Sequence, residues 1–380
     1  MCGLVGFISS NQISINQLLV MTDSISHRGP DGSGHYINKF GELYWGLGHR
    51  RLSIIDVDTR SDQPFFNKSK NIALTYNGEI YNYIELKQEL KEYNFITESD
   101  TEVILALYEK YGIEFDGKLD GIFSFSISDF SIGKTFLVRD RHGVKPLYFF
   151  YDESNLVYAS ELRPILKYPF FSKELDNFSV ELMLSLSYIP GNRSIFSSVK
   201  KVTPGSIMVF IGTRFDKEIS YWDSIDTYLK QKKEQHSLSN YSATIDDAVQ
   251  QNLVGDVEVA TLLSSGIDSS TVLAFAKNYS SEIKNFTIGF DDINYDESIY
   301  ANEFSKRLGV QNISRILSIE QLANTALNVA RYCDEPLGDI SLLPTLQVSK
   351  LVKDSSIKVV LSGDGGDEFF LDMITMILLI

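Results

Sequence analysis

The chain opens Met1-Cys2. Removal of the initiator methionine leaves one residue carrying both a thiol and a free α-amine. Nucleophile and base are then supplied together, because an α-amine of ordinary pKa, roughly 7.7 to 8.0, can take the thiol proton near neutral pH. A lone cysteine beside a first strand more often behaves as a small apolar residue, so Cys2 by itself decides nothing. A second chemistry is written into Leu262-Leu263-Ser264-Ser265-Gly266-Ile267-Asp268-Ser269-Ser270, between a strand pattern and a helix pattern. Small residues there let backbone N–H groups approach an oxyanion, and the following helix adds the positive end of its dipole. The loop reads as a pyrophosphate cradle, although on its own it is also an ordinary tight strand-to-helix turn.

The company of Cys2 changes the balance. Arg28-Gly29-Pro30-Asp31, His49-Arg50-Arg51-Leu52-Ser53-Ile54-Ile55-Asp56, Asn77-Gly78-Glu79-Ile80-Tyr81-Asn82 and Ser99-Asp100 follow it in order. Together, from Cys2 to about Pro204, they resemble the class II glutamine amidotransferase domain of the glutamine-hydrolysing asparagine synthetases. The resemblance implies Cys2 as nucleophile, with the Asn77 side chain and the Gly78 N–H as donors to the oxyanion of the tetrahedral intermediate. Loss of one such donor typically costs about 3 kcal/mol of transition-state stabilisation. The α-carboxylate of glutamine calls for a bidentate cation, matched by Arg51, and its α-ammonium for carboxylates, matched by Glu79 and Asp100. Leu52, Ser53, Ile54 and Ile55 complete the glutamine-binding set that the resemblance implies. Taken singly, Asn77-Gly78 reads as a type I′ hairpin turn, Asp100 as a helix cap and Arg51 as a surface charge.

The Ser264 to Ser270 loop is similar to the PP-loop of ATP-pyrophosphatases, which adenylate a carboxylate and release pyrophosphate. Where two glycines are common in that family this chain has Ser265-Gly266, and the extra side chain either crowds the phosphate or adds a hydroxyl donor. Asp334-Glu335-Pro336 and Val360-Leu361-Ser362-Gly363-Asp364-Gly365-Gly366-Asp367-Glu368 also resemble asparagine synthetases. By that likeness Ser264, Ser265, Gly266, Asp268, Ser269, Ser362 and Gly363 bind ATP, with Leu262 and Ile288 flanking adenine. Asp268 and Asp367 hold Mg2+ and pyrophosphate, and Asp364 lies near the intermediate that accepts ammonia; the acidic cluster is otherwise a solvated loop. After Glu368 the family pattern would continue into a glycine-rich turn and a long helical region, but the chain reads Phe369 to Ile380 and stops. No residue matches the family's catalytic lysine, so a frameshift or premature truncation of the synthetase half is expected. Gln311-Asn312-Ile313 also departs from the histidine-bearing family sequence.

Two kinds of scaffold must carry these groups. From Leu4 to about Ile211, β-type runs predominate (Leu4 to Ile8, Ile72 to Tyr76, Ile122 to Ile127, Thr135 to Val138, Ile207 to Ile211), with one helix through Ile84, Leu86 and Leu90. A second helix runs through Val103, Ile104, Leu107 and Tyr108 behind an Asp100 or Thr101 cap. Composition turns polar between Asp223 and Ser242. Thereafter strands at Val257 to Leu263, Asn285 to Phe290 and Ile357 to Leu361 alternate with helices at Ser269 to Asn278, Ser298 to Leu308 and near Leu322 and Leu346, the rhythm of a parallel sheet whose ligands lie beyond the strands' carboxyl ends. The fold class is α/β: by the resemblance, an N-terminal-nucleophile hydrolase αββα sandwich over residues 2–210, a linker over 211–242 and an incomplete PP-loop domain, Rossmann-like, over 243–380.

The 380 residues are too many for one ordinary core. A net charge of −15 opposes attraction to nucleic acid or anionic membrane surfaces. Two cysteines, Cys2 and Cys333, form no zinc or disulfide pattern, and no apolar run reaches spanning length; both fit a cytoplasmic protein. The implied reaction couples glutamine hydrolysis to amidation of an acyl-adenylate, with ATP and Mg2+. Aspartate or another carboxylate such as a sugar acid is the acceptor, ammonia passes between the domains, and a homodimer is compatible. A truncated chain retaining only glutaminase activity and a non-enzymatic binding remnant remain as competing readings.

Overall fold

A computed structural model describes residues 1–231 and 238–366 of the chain. In the first part the elements are β1 (Gly3–Ser9), α1 (Ile15–Asp23), β2 (Gly32–Phe40), β3 (Leu43–Arg51), β4 (Phe65–Phe66), β5 (Ile72–Ile80), α2 (Tyr83–Glu89) and α3 (Asp100–Tyr111). They continue with β6 (Gly121–Asp129), β7 (Lys134–Arg139), β8 (Tyr148–Tyr151), β9 (Asn155–Ala159), α4 (Leu162–Leu166), α5 (Asn177–Leu186), β10 (Lys200–Lys201), β11 (Ser206–Ile211), β12 (Arg214–Ser220) and α6 (Ser224–Gln231). Two six-stranded sheets result, ordered β10-β8-β9-β1-β3-β2 and β12-β11-β7-β6-β5-β4.

Alternation along the strands stacks these sheets. Leu4 and Ile8 of β1 join Trp45, Leu47, Ala73, Leu137, Phe149 and Phe210 in the core between the sheets, while Val5 and Phe7 turn to the other face and pack with Leu18 and Met21 of α1 and Leu162 and Ile165 of α4. On the outer face of the second sheet, Leu74, Tyr76, Phe125 and Ile127 meet Leu86 of α2 and Val103, Ile104 and Leu107 of α3. The order of layers is helix, sheet, sheet, helix, as expected. Ser99, not Asp100 or Thr101, caps α3: its side chain accepts from the Thr101 N–H, which leaves Asp100 inside the first turn. Ile84, expected on the apolar face of α2, is exposed at 46%, and Leu86 and Leu90 carry the packing instead.

The linker expected over 211–242 begins inside folded structure. Arg214–Ser220 pairs with β11 at the edge of the second sheet, and its polar sequence suits an edge strand with one wet face. Helices α6 and α7 (Leu238–Asn252) flank the interval that lies outside the described residues.

The chain divides into two units, Met1–Glu234 with Cys333–Gly338, and Gln235–Tyr332 with Asp339–Ile380. In the second, β13 (Val259–Leu262), α8 (Ile267–Tyr279), β14 (Lys284–Phe290), α9 (Ser298–Leu308), β15 (Gln311–Leu317), α10 (Ile319–Asn328), α11 (Leu342–Asp354) and β16 (Val359–Leu361) follow α7. The four strands form a parallel sheet in the order β15-β14-β13-β16. One apolar cluster joins the sheet to α7, α8 and α9 through Val249, Leu273 and Ala301, and another to α11 through Val348, Leu351 and Val352. Strand β15 escapes the periodicity because Gln311, Ser314 and Arg315 dilute its apolar pattern at the sheet edge.

Segment Cys333–Gly338, which sequence likeness groups with the synthetase half, belongs to the first unit. Asp334 accepts from the Leu162 N–H at the start of α4 (2.5 Å) and from Arg163 Nε (3.0 Å). Glu335 accepts from the Ile195 N–H (2.9 Å) and Tyr148 Oη (3.3 Å) and pairs with Lys201 Nζ (2.8 Å). Burial pushes the Asp334 carboxyl up to about 6, with Glu161 adding repulsion.

Candidate functional site

One cleft in the first unit gathers Cys2, Arg51, Leu52, Ile54, Ile55, Asn77, Gly78, Glu79 and Asp100 with Met1, Gln63, Tyr76, Ser99, Thr101 and Lys145. Their sources converge from the start of β1, the end of β3 and the loop after it, the end of β5, the start of α3 and the turn after β7. Ser53 is absent from this lining; it is buried, and its N–H donates to Asp31 Oδ2 (2.9 Å).

Cys2 Sγ receives the Leu52 N–H at 3.4 Å and donates to Leu52 O at 3.6 Å. The Cys2 carbonyl accepts from Arg28 Nε (2.8 Å), whose Nη1 holds Glu161 (3.0 Å). Burial raises the Cys2 thiol pKa, while the N-terminal amine, the Leu52 N–H and Arg51 oppose that rise. The amine of Met1 lies in the same cleft and is lowered from 8.0 to about 6, first by burial. An amine in that environment is held neutral near pH 7 and is chemically able to accept a proton.

Asn77 and Gly78 are not a hairpin turn. They lie within β5, opposite Ser124 and Phe123 of β6. Asn77 is 1% exposed, and its Nδ2 has no hydrogen-bond partner among the described residues, a costly arrangement unless a ligand completes it. A Cβ at Gly78 would lie 2.3 Å from Ile122 O, so only glycine fits this register.

Arg51 is less free than its expected role requires. Its Nη1 donates to Asp58 O (2.7 Å) and Asp62 Oδ1 (2.9 Å), and its Nη2 to Ile55 O (3.4 Å) and the Asp56 carbonyl. The guanidinium thereby shapes the loop of Leu52 to Asp62 and leaves Nε as its donor without a partner among the described residues. Asp100 Oδ2 accepts from Tyr76 Oη (2.6 Å) and the Ile80 N–H (3.1 Å); burial raises its pKa while these donors oppose. Glu79 is raised from 4.5 to about 7 by burial and then by Asp100, with Lys145 and the N-terminal amine opposing.

Sequence reasoning passed over Gln63, Tyr76 and Lys145. Gln63 Oε1 accepts the Tyr76 N–H (2.6 Å), and His49 Nε2 donates to Tyr76 O (2.9 Å), its pKa lowered to about 4 by burial, so both backbone groups of Tyr76 are held by buried side chains. No short motif announces such partners; Lys145 alone carried a local signal, the turn Arg139-Asp140-Arg141-His142-Gly143-Val144-Lys145.

In the second unit, the loop after β13 is closed by its own serines. Ser264 Oγ and Ser269 Oγ are 2.9 Å apart, Ser269 Oγ accepts the Ser264 N–H (3.2 Å), and Ser264 Oγ accepts the N–H of Gly266, which caps α8 (3.1 Å). Ser265 Oγ donates to Glu297 Oε2 (2.7 Å), and its N–H donates to the same atom (3.3 Å). Ser264, Ser265 and Ser270 share a hollow with Tyr300, Glu303, Phe304 and Arg307 of α9, and Arg307 is a cation that sequence reasoning passed over. After β16 the backbone comes back onto the same loop: a Cβ at Gly363 would lie 2.7 Å from Ser269 N, and one at Gly366 would lie 2.1 Å from Asp268 Oδ2. Ser362 Oγ donates to Asp364 Oδ2 (2.9 Å), and Asp364 is exposed. Leu262 and Ile288 pack half-buried in one cluster with Val348 and Leu351. Asp367 lies outside the described residues. Among the described residues no trio of His, Cys, Asp or Glu is placed to hold a metal ion, and no helix is long and apolar enough to cross a membrane. A single carboxylate at Asp268 suits magnesium carried in on nucleotide phosphates, an ion that keeps several of its waters.

A four-layer unit with Cys2 in a cleft, followed by a parallel α/β unit with a serine-rich loop after its first strand, makes a two-part α/β protein. Residues 1–222 match the family model described as glutamine amidotransferase domain, and residues 240–373 that of asparagine synthase. The chain belongs to the family of glutamine-hydrolysing asparagine synthetases. It is 36% identical to asparagine synthetase [glutamine-hydrolyzing] 1 of Bacillus subtilis over 97% of this chain and 58% of that one. A Methanocaldococcus jannaschii relative, provisionally named asparagine synthetase [glutamine-hydrolyzing] 2, is 34% identical over 97% of this chain and 75% of its own length. A Gibberella zeae relative named amidase chry2 is 30% identical over 97% of this chain and 59% of its own. The chain thus spans just over half the length of two of these relatives.

Proposed function

We propose that the first unit hydrolyses glutamine at Cys2 once Met1 is removed, and that the second uses ATP with Mg2+ to activate a carboxylate that the released ammonia amidates. The observation that carries the first half is the buried, unpartnered Asn77 Nδ2 in the cleft that also holds Cys2. In this reading the α-amine of Cys2 takes the thiol proton, and Sγ attacks the glutamine amide carbon. Asn77 Nδ2 and the Gly78 N–H receive the oxyanion, and the C–N bond breaks as the nitrogen takes up the proton. Water then cleaves the thioester to glutamate. Glu79 and Asp100 hold the substrate ammonium; Arg51 meets its carboxylate through Nε and otherwise orders Leu52, Ile54 and Ile55 around it.

For the second half, Ser264 to Ser269 with Ser362 and Gly363 receive the phosphates, Leu262 and Ile288 flank adenine, and Asp268 and Asp364 face magnesium and the acyl-adenylate. Aspartate is the acceptor by family. Another carboxylate is the second reading, favoured by relatives named as amidases. A cytoplasmic homodimer acting on small molecules belongs to the same proposal. Purified protein given glutamine, ATP, magnesium and aspartate should yield glutamate, AMP and asparagine by mass spectrometry. Glutamate without AMP would restrict the activity to the first unit.

A further inference from the structure

Lys145 stands in the glutamine cleft because of how its turn is built. The buried Asp140 carboxylate accepts the N–H groups of Phe123 (3.2 Å), His142 (3.1 Å), Val144 (3.0 Å) and Lys145 (3.0 Å). Arg139 fastens the same turn from outside, donating to Lys145 O (3.0 Å), Gly143 O (2.6 Å) and Val202 O (2.7 Å). Seven hydrogen bonds fasten this short segment; the turn is a rigid mount, and the side chain it delivers lines the cleft with Cys2 and Glu79. Among the described residues no carboxylate lies within ion-pair distance of the Lys145 ammonium, although burying a cation without a partner is expensive.

We infer that Lys145 is a positioning residue of the glutamine cleft, a fixed counter-charge that keeps Glu79 ionised and favours the Cys2 thiolate. This rests on the amide-hydrolysing reading of the cleft. The charged groups that face Lys145 are Glu79 of β5, Arg28 after α1, Asp140 of its own turn and Cys2 at β1. Those that face Glu79 are Asp100 of α3, Lys145 and the N-terminal amine. Glu79 must be a carboxylate to hold an ammonium, yet burial and Asp100 both drive it toward the neutral acid; Lys145 opposes them. Lys145 also lowers the amine of Met1, and a cation fixed at this place acts in the same direction on the Cys2 amine that takes over as base once Met1 is removed. Removing the cation moves both groups the same way, so their proton-bound, inactive forms persist to higher pH.

The test compares Lys145→Met and Lys145→Arg with the wild type, all on a Cys333→Ser background, by two readouts. The first is the pH profile of kcat/KM for glutamate release; the second is the pH dependence of Cys2 alkylation by iodoacetamide, which needs no turnover. For Lys145→Met the acid limb and the alkylation midpoint should each rise by about half a pH unit or more, with KM for glutamine at pH 7 up about tenfold and kcat less affected. Lys145→Arg should restore both midpoints, which a merely structural role would not explain. Active enzyme whose two profiles are unmoved by Lys145→Met would overturn the inference. Wild type that releases no glutamate while its alkylation midpoint still depends on Lys145 would overturn the glutaminase reading and support the electrostatic role.

Discussion

The backbone N–H of Leu52 points at Cys2 Sγ across 3.4 Å. The thiol therefore meets a fixed donor from the loop that Arg51 orders, and that donor favours a thiolate at this position against the effect of burial. The relationship joins the start of β1 to the segment after β3 and ties the environment of Cys2 to the shape of the cleft.

Asn77→Ala should lower kcat for glutamine hydrolysis by about 10²- to 10³-fold with a small change in KM, the pattern of a donor used in the transition state. Because Nδ2 makes no hydrogen bond among the described residues, unfolding in urea should change little.

Gly78→Ala should destabilise the first unit by about 2 kcal/mol, since the added carbon meets Ile122 O and the β5-β6 pair must shift to admit it. Urea unfolding checks this, and an unchanged midpoint would contradict the register described.

The glutaminase reaction should weaken on the acid side of neutrality. In the proposed mechanism Glu79 holds the substrate ammonium as a carboxylate, and its pKa is pushed up to about 7, so kcat/KM should fall as pH drops through that value. Glu79→Gln should flatten this limb and raise KM across the range.

Glu297→Gln should tighten MgATP binding two- to fivefold, because the carboxylate that takes the Ser265 N–H lies where a phosphate oxygen would compete for it and an exposed charge of this kind is worth roughly 0.2–1 kcal/mol. Equilibrium binding of a non-hydrolysable ATP analogue reads the effect without requiring synthesis.

Most of the scaffold was legible because burial imposes period: Leu4 to Ile8 and Ile207 to Ile211 read as strands and are strands, and Ser298 to Leu308 is the helix its apolar spacing announces. Elements at the edges were harder. Arg214–Ser220 and Gln311–Leu317 end their sheets with polar residues facing solvent, so pattern alone could not separate them from loops. The cleft was legible through blocks of sequence, yet its supporting residues were not. Gln63 and His49 act on the backbone of Tyr76 from other elements, and Asp334 and Glu335 find their donors on α4 and near β10, 130 or more residues earlier, as only the folded chain can arrange. The resemblance places Ser53 in the pocket with its neighbours, but its backbone N–H donates to Asp31 while Leu52, Ile54 and Ile55 line the cleft.

The most direct measurement is glutamate release from glutamine by the purified full chain, with mass analysis of its N-terminus and with Cys2→Ala assayed alongside. The account predicts a processed chain beginning at Cys2, steady glutamate release, and loss of that release in Cys2→Ala without loss of folding. Undiminished release by Cys2→Ala, or release by a chain that retains Met1, would contradict it.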